Sequence, residues 1–365
     1  MARSRNRRAP LWARLGAAAG CLLLVPAAGT VAAIAAVEAT SERAGLDGPL
    51  NILLVGIDPR GTHVTPLADA IIVAHIPADR QGAYLFSLPR DLVVRIPAFA
   101  KNGTPAQRAK INAAMALGSR IGPDRYDPAQ GLELLARTVG DVTGIKEFDA
   151  GAVINFGGFK RMVATLGGVR MVIDQDVVSE HLQPDGSPRE VSPECRESRK
   201  CLRPYTGAQK TYRTSAEPVR LRSWEALDYL RQRYGLPRSD YDRQRHQRQF
   251  LQAVVRQISR DGALRPARLM KVLTTVGDSL VVDGGGHDIT DWIIELKDLH
   301  AGSVTAVDLP GEPVFEGGKY LGEQFTSGAA AFFAAVRKDR AGRFLLDHPG
   351  FADLDPALAG PPRRP

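Results

Sequence analysis

The sequence predicts an α/β fold formed by one domain from about residue 48 to residue 345. Four short apolar segments follow one another early in the chain, and such near-continuous apolar runs are typical of strands buried on both faces of a sheet. Segments with the apolar spacing of helices then alternate with further strand-like segments. We therefore expect one central sheet flanked by helices.

The early apolar segments are predicted strands at 50–55, 70–76, 83–88 and 92–96. Their connections are short, as in the turn at 79–82, and short connections favour antiparallel neighbours. Two later strands are predicted at 169–173 and 304–309.

Helices are predicted at 105–117, 129–142, 156–166, 240–259, 266–276 and 290–299. Ser223 is expected to cap one more helix, which ends before Gly235 and Pro237. Residues 179–219 show little regular pattern. Residues 346–365 are rich in Pro, Ala and Gly and are predicted to be disordered.

The N-terminus carries most of the formal charge of +8, because its first fourteen residues hold five arginines and no acid. Residues 15–37 carry no charge and would span about 34 Å as a helix, enough to cross a hydrocarbon core. Positive flanks stay inside, so we expect a cytoplasmic tail at 1–14, a transmembrane anchor at 15–37, a linker at 38–47 and an extracytoplasmic domain. A cleaved signal peptide is the alternative.

Cys195 and Cys201 are the only cysteines beyond the apolar segment, and five residues separate them. In an oxidising compartment such an isolated pair in a polar segment predicts a local disulfide. Free thiols are the alternative, and a zinc site would need more ligands nearby than His181.

Two aspartates flank the first predicted strand connection. Asp58 follows the first strand and Asp69 precedes the second. If the strands are antiparallel neighbours, both carboxylates reach one edge of the sheet. Such a pair suits a hard cation such as Mg²⁺ that shares phosphate oxygens with the protein. The alternative is that both are ordinary turn and loop acids, as most aspartates in such positions are.

The long helix at 240–259 has a polar start on its apolar face. Asp240, Arg243 and Gln247 share one stripe, which continues through apolar residues over the later turns. Because a solvated face would not align with the core stripe, this arrangement predicts a site at the edge of the core. The arginines off this stripe are predicted to be solvated: Arg245, Arg248 and Arg256.

Further arginines complete a predicted anion site. Arg231 and Arg233 are two residues apart near the predicted helix end, and in an extended segment they would face the same way. Arg90 follows the third strand. Guanidinium groups bind phosphate in a planar, bidentate manner and stay charged, so these residues with the two aspartates predict a bound pyrophosphate with a metal.

Other chemistries are excluded by missing motifs. The sequence has no helix-turn-helix signature, and an exported domain would not meet chromosomal DNA. It also lacks the HExxH zinc motif, the GxSxG nucleophile elbow and a P-loop.

Six segments resemble the motifs of the LytR-CpsA-Psr family of cell-wall ligases: NILLVGIDPR at 51–60, ADAIIVAHI at 68–76, LFSLPRDLVVRIP at 85–97, KINAAMALG at 110–118, VINFGGFKRMVATLGGV at 153–169 and LDYLRQRYGLPRSDYDRQRHQRQFL at 227–251. The resemblance implies an α-β-α sandwich around a central mixed sheet, with an apolar pocket for a polyprenyl chain. It implies transfer of a glycopolymer from a polyprenyl-pyrophosphate carrier to a peptidoglycan hydroxyl, with Mg²⁺ or Mn²⁺, and a pyrophosphatase side activity.

The resemblance also implies residue roles. Asp58 and Asp69 would be the metal carboxylates, and Asp69 is the candidate base near the acceptor hydroxyl. The residues implied to grip the pyrophosphate are Arg90, Arg231, Arg233, Arg243 and Gln247, with Lys110 assisting. Asp240 would orient Arg231 or Arg243.

The chain departs from the family pattern at Leu67, where the family commonly has an arginine. Arg60 or His63 could substitute from within the same loop. The departure keeps two other functions open: a non-catalytic binder of polyprenyl-pyrophosphate lipids or anionic wall polymer, and a membrane-bound transcriptional attenuator. The missing DNA-binding element argues against the attenuator.

Overall fold

The structure is a computed structural model that describes residues 46–59, 64–197, 201, 203–259, 266–296, 299 and 303–353 of the 365-residue chain. The expected transmembrane anchor at 15–37 and the residues 60–63 lie outside these ranges. No helix within them is long and apolar enough to cross a membrane. The folded unit begins at Gly48.

The strands are β1 Leu50–Ile57, β2 Ala68–Ile76, β3 Ala83–Ser87, β4 Val93–Ile96, β5 Gln107–Lys110, β6 Arg120–Gly122, β7 Arg125–Tyr126, β8 Ala150–Asn155, β9 Val169–Ile173, β10 Val177–Val178, β11 Glu190–Val191, β12 Tyr205–Thr206, β13 Thr211–Tyr212, β14 Ser215–Leu221, β15 Leu280–Asp283, β16 Val304–Val307, β17 Gly311–Glu316, β18 Lys319–Phe325 and β19 Ala352–Asp353.

The α-helices are α1 Asn112–Ser119, α2 Pro128–Thr143, α3 Phe156–Thr165, α4 Pro193–Glu197, α5 Ser223–Tyr229, α6 Asp240–Ile258, α7 Pro266–Val276, α8 Ile289–Leu296, α9 Ser327–Val336 and α10 Ala341–Asp347. Short 3₁₀ helices occur at Gly277–Ser279 and Pro349–Phe351.

A seven-stranded sheet in the order β15-β8-β1-β2-β3-β16-β19 forms the centre of the fold. The strand pairs β1–β8 and β3–β16 are parallel and the other pairs are antiparallel, so the sheet is mixed. The predicted antiparallel pairing of β1, β2 and β3 is confirmed, but the predicted fourth strand at 92–96 lies outside this sheet, where β4 pairs with β5.

Each face of the sheet meets a separate layer. On one face Leu53, Val55 and Val73 pack into a core with α1, α2 and α9. A second core joins α3, α5 and α6 with β9. Burial of each large apolar side chain contributes about 2 kcal/mol to the stability of the fold, so the hydrophobic effect stabilises both layers. The architecture is an α/β fold with a mixed central sheet between helical layers, as the sequence pattern and the family resemblance lead us to expect.

Two local predictions are wrong. The predicted helix at 105–117 begins only at Asn112, because Gln107–Lys110 pairs with Val93–Ile96 in a separate hairpin. Strand pairing across this hairpin overrides the local helical preference. Ser223 is the first residue of α5 rather than its cap; Arg222 occupies the cap position.

The predicted C-terminal disorder starts too early. Residues 346–353 belong to the fold, since α10 reaches Asp347 and β19 pairs with β16 through Val307 and Ala352. Residues 354–365 lie outside the described ranges.

Arg248 was predicted to be solvated, but it is only 1% exposed. Helix α6 packs against both β9 and β16, so positions off its apolar stripe are enclosed as well. The Nη2 atom of Arg248 lies 3.0 Å from Asp308 Oδ1 and 3.4 Å from Asp353 Oδ2. Burial raises the pKa of Asp353, and Arg248 opposes that rise. This ion pair therefore fastens the C-terminal strand to α6.

Arg248→Ala should lower the free energy of unfolding by about 3 kcal/mol, because it leaves the largely buried Asp353 carboxylate without its cation, whereas Asp308 keeps Arg238. The exposed pair of Arg213 and Asp176 provides the control, and Arg213→Ala should leave the free energy of unfolding nearly unchanged. Urea unfolding of the full-length protein, followed by circular dichroism, measures both. Equal losses for the two variants would contradict the structural role of Arg248.

Candidate active site

An apolar cavity of about 520 Å³ lies between the central sheet and helices α3, α5 and α6. Protein interiors are normally close-packed, so a void of this size is a feature that needs an occupant. Its apolar wall consists of Leu54, Ile72, Ala152, Ile154, Phe159, Met162, Leu227, Leu230, Phe250, Leu251 and Leu280.

Small residues on the sheet keep this cavity open. Gly56, Ala70 and Ala152 lie on three neighbouring strands and all face it. Strands β1 and β2 approach closely here, since a Cβ added to Gly56 would lie 3.3 Å from the Ala70 Cβ. Because the sheet presents so little side-chain volume, the second core cannot fill the space above it.

The two predicted aspartates lie at the mouth of the cavity. Ile57 pairs with Ala68, so Asp58 and Asp69 follow directly at the same end of the β1–β2 pair. Both line the cavity. Asp69 lies within β2 rather than before it. Leu67, which stands at the position of the usual family arginine, is exposed and does not line the cavity.

Arg90 is placed against these carboxylates by the end of β3. Leu88 N donates a hydrogen bond to Ile71 O, which carries the chain alongside β2. Arg90 Nη1 then donates to Asp69 Oδ1 at 2.5 Å, and its Nε lies 3.9 Å from Asp240 Oδ1. Burial opposes the charge of Arg90, but Asp240 and Asp69 outweigh it and raise the pKa of the guanidinium.

Helix α6 contributes the polar residues of its apolar stripe. Arg243 Nη2 lies 2.9 Å from Asp240 Oδ1 and donates to the Asp69 carbonyl oxygen at 3.2 Å. Burial lowers the pKa of Arg243, but guanidinium groups titrate so high that it stays cationic. Gln247 Nε2 donates to Leu230 O at 3.3 Å, and its buried Oε1 has no partner within the described residues. Asp240 thus orients Arg243 and not Arg231.

Arg231 and Arg233 follow the end of α5 and reach the same mouth, as predicted. Arg231 Nη2 lies 3.7 Å from Asp58 Oδ2, and its guanidinium lies 4.5 Å from the centre of the Phe156 ring. Arg233 Nη2 donates to Tyr234 Oη at 3.3 Å. Within the described residues no carboxylate forms an ion pair with Arg233, so its guanidinium is available for an anion at the mouth.

Lys110 is not placed where its implied role requires. It lies in the β4–β5 hairpin and does not line the cavity. Its Nζ lies 3.0 Å from Asp91 Oδ1 and 5.2 Å from the centre of the Tyr320 ring.

The structure adds a wall that the sequence did not predict. Glu180, His181 and Tyr205 line the cavity although they come from the irregular segment after β9. Ser179 Oγ donates to Asp228 Oδ1 at 2.9 Å, and Glu180 N donates to Gln232 Oε1 at 2.9 Å. These long-range hydrogen bonds attach the segment to α5 and to the residues that follow it. No periodic pattern in the sequence predicts them.

His181 is a neutral group beside the cations. Burial lowers its pKa, and so does the charge of Arg231. Its Nδ1 is buried and has no partner within the described part of the chain. In the same segment Cys195 and Cys201 form the predicted disulfide, with Cα atoms 5.6 Å apart.

Asp58 and Asp69 fit a divalent cation that completes its oxygen ligands with phosphate and water. Across the described ranges, no cluster of three or more His, Cys, Asp or Glu side chains could hold a metal. A metal here would therefore depend on its bound anion.

Known proteins resemble this chain in sequence and in fold. The model of the LytR_cpsA_psr family matches residues 28–336. The chain belongs to the LytR-CpsA-Psr family. The cell wall biosynthesis protein LcpA of Corynebacterium glutamicum is 28% identical over 291 residues, which are 72% of this chain and 50% of LcpA. The polyisoprenyl-teichoic acid–peptidoglycan teichoic acid transferase TagU of Enterococcus faecalis is 26% identical over 252 residues, 68% of this chain and 66% of TagU. This LytR-CpsA-Psr chain spans about half the length of the first of these relatives.

Solved structures share the fold. Bacillus subtilis TagV has a TM-score of 0.55 and 19% identity, covering 80% of this chain and 98% of TagV. TagT bound to LI-WTA has a TM-score of 0.53 and 20% identity, covering 82% of this chain and 93% of TagT. These similarities support the LytR-CpsA-Psr fold, with its mixed central sheet.

Proposed function

We propose that this protein transfers a glycopolymer from a polyprenyl-pyrophosphate carrier to a peptidoglycan hydroxyl during cell wall biogenesis. The observation that carries the proposal is an apolar cavity that opens directly onto four arginines and two aspartates. A polyprenyl pyrophosphate has the same two parts, a long apolar chain and a compact polyanion. The similarity to TagU, a polyisoprenyl-teichoic acid–peptidoglycan teichoic acid transferase, supports the same reaction class.

In this proposal the polyprenyl chain lies against the small residues of the sheet and the pyrophosphate lies among the guanidiniums. Arg90, Arg231, Arg233 and Arg243 would each donate charge-assisted hydrogen bonds to phosphate oxygens. Gln247 Oε1, which has no partner in the described residues, is a further polar contact at the mouth. The reaction requires the domain on the extracytoplasmic side of the membrane. The N-terminal arginines would give this topology, because positively charged flanks stay on the cytoplasmic side.

The transfer is a phosphoryl substitution. The acceptor hydroxyl oxygen forms a bond to the glycan-side phosphorus while the bond from that phosphorus to the bridging oxygen breaks. The bridging oxygen leaves with polyprenyl phosphate, and the hydroxyl proton passes to the Asp69 carboxylate. The arginines stabilise the charge spread over the non-bridging oxygens. Water as the acceptor would give pyrophosphatase activity.

Asp58 and Asp69 would hold a Mg²⁺ or Mn²⁺ ion together with the pyrophosphate. When bound, such an ion supplies further neutralisation of the phosphate charge. Arg90 would keep Asp69 oriented, since its Nη1 already bonds to Oδ1 at 2.5 Å.

The exposed Leu67 supports one alternative, a non-catalytic binder of the same lipid, because the family arginine at this position is replaced. The binder hypothesis predicts lipid binding without turnover. No feature of the described residues favours the transcriptional attenuator.

Replacing the arginines tests the proposed reaction. Arg90→Ala, Arg231→Ala, Arg233→Ala and Arg243→Ala should each lower kcat/KM about a hundredfold, because each removes a donor that stabilises developing charge. Arg343→Ala, on the exposed surface of α10, is the control and should keep full activity. The measurement is release of polyprenyl phosphate from a pyrophosphate-linked donor by the full-length protein in detergent. Unchanged turnover in the four variants, or none in the wild type with Mg²⁺ or Mn²⁺, would contradict the transferase proposal.

Metal binding should depend on the lipid. Farnesyl pyrophosphate should tighten Mn²⁺ binding by about tenfold or more, because two carboxylates alone make a weak site. Asp58→Asn and Asp69→Asn should each remove this gain, and Asp347→Asn on the surface should not. Calorimetric titration of Mn²⁺ measures the effect without relying on activity. Equal Mn²⁺ affinity with and without the lipid would rule out the shared site.

A further inference from the structure

The β17–β18 hairpin carries an exposed aromatic pair outside the cavity. Phe315 is 61% exposed and Tyr320 is 45% exposed, and they face each other across the two strands. Their ring centroids are 5.8 Å apart at an interplanar angle of 65°. Two large aromatic rings side by side and exposed on one hairpin indicate a contact surface.

The hairpin is docked directly beside the candidate active site. Glu323 N donates to Asp91 O at 2.9 Å, and Asp91 follows Arg90 in the chain. Gly322 makes this approach possible, since its φ of +153° suits glycine and an added Cβ would meet Asp91 O at 2.1 Å. The position of the aromatic pair is therefore fixed relative to Arg90.

A polar network joins the hairpin to both sides of the mouth. Glu323 Oε1 accepts from Tyr320 Oη at 2.6 Å, and Glu323 Oε2 accepts from Tyr241 Oη at 3.1 Å. Tyr241 follows Asp240, a member of the arginine and aspartate cluster. Burial and Glu323 raise the pKa of Tyr320, with smaller contributions from Asp91 and Asp240. Tyr320 is thus a neutral hydrogen-bonding group within electrostatic range of the cluster.

Lys110 belongs to this surface rather than to the cavity. Its Nζ lies over the Tyr320 ring at 5.2 Å and pairs with Asp91. The lysine therefore fixes one face of the ring and leaves the exposed pair rigid.

The charge of the hairpin restricts what can bind. Residues 311–325 contain three glutamates and one lysine, a formal charge of −2. Anionic wall polymers and anionic lipid surfaces would be repelled. A neutral chain of sugar rings would not, and sugars present C–H faces to aromatic rings and hydroxyls to polar neighbours.

We propose that the Phe315–Tyr320 surface binds the glycan strand of the acceptor, and that the hairpin guides its hydroxyl toward Asp69. The inference rests on the proposed function and assigns the acceptor side of the same site. Arg90 connects the two regions, because it bonds to Asp69 and precedes the residue on which the hairpin docks.

Binding of the full-length protein in detergent to purified peptidoglycan sacculi tests this surface. Phe315→Ala and Tyr320→Ala should each reduce the bound fraction about fivefold, because each removes a stacking face. Tyr320→Phe should retain binding, since it keeps the ring. Leu346→Ala, which removes a 77% exposed apolar side chain on α10, is the matched control and should bind normally. Thermal unfolding by circular dichroism checks that each variant is folded.

Binding of farnesyl pyrophosphate should be unchanged in all four variants, which separates this proposal from the proposed function. If the wild type binds sacculi but not farnesyl pyrophosphate, the transferase proposal fails while the glycan surface stands. Full sacculus binding by folded Phe315→Ala and Tyr320→Ala would overturn the glycan surface. Loss of binding to phosphatidylglycerol vesicles with sacculus binding intact would also overturn it and identify a membrane contact.

Discussion

Four guanidinium groups lie among carboxylates at one cavity mouth, and the rest of the site depends on this balance of charges. Like charges at short range repel strongly where water is excluded, so the cluster is stable only because Asp58, Asp69 and Asp240 are interleaved with the arginines. Arg233 has no carboxylate partner in the described residues, so its guanidinium is left to bind an anion. The fold therefore maintains an anion site before any anion arrives.

The apolar cavity beneath this charged mouth is the second feature of the site. Leaving about 520 Å³ open forfeits packing that a close-packed interior would gain. Small residues on three adjacent strands maintain the opening, while the second core closes over it from α3, α5 and α6. An apolar chain in the cavity and a polyanion at the mouth would satisfy both features together. The Phe315–Tyr320 surface then supplies the remaining requirement of a transfer reaction, a place for the acceptor.

The sequence predicted the parts of this site that depend on local order in the chain. Asp58 and Asp69 were placed by the pairing of two neighbouring strands, and Arg243 and Gln247 by the apolar stripe of one helix. The errors have a common physical origin in long-range packing. Arg248 is buried because α6 is enclosed by two separate strands, and Lys110 is displaced because β5 pairs with β4. His181 and Glu180 line the cavity through hydrogen bonds to α5 that no local pattern reveals. Neither composition nor periodicity carries this information.

The central claim is that the cavity holds a polyprenyl chain ending in phosphate. It is tested most directly by mass spectrometry of lipid extracted from the purified full-length protein, compared with that from Ala152→Phe, whose added ring would occupy the cavity, and from Ala331→Phe on the surface of α9. The account predicts a polyprenyl phosphate or pyrophosphate in the wild type and in Ala331→Phe, and its loss in folded Ala152→Phe. Finding no isoprenoid in the wild type, or equal amounts in all three proteins, would contradict it.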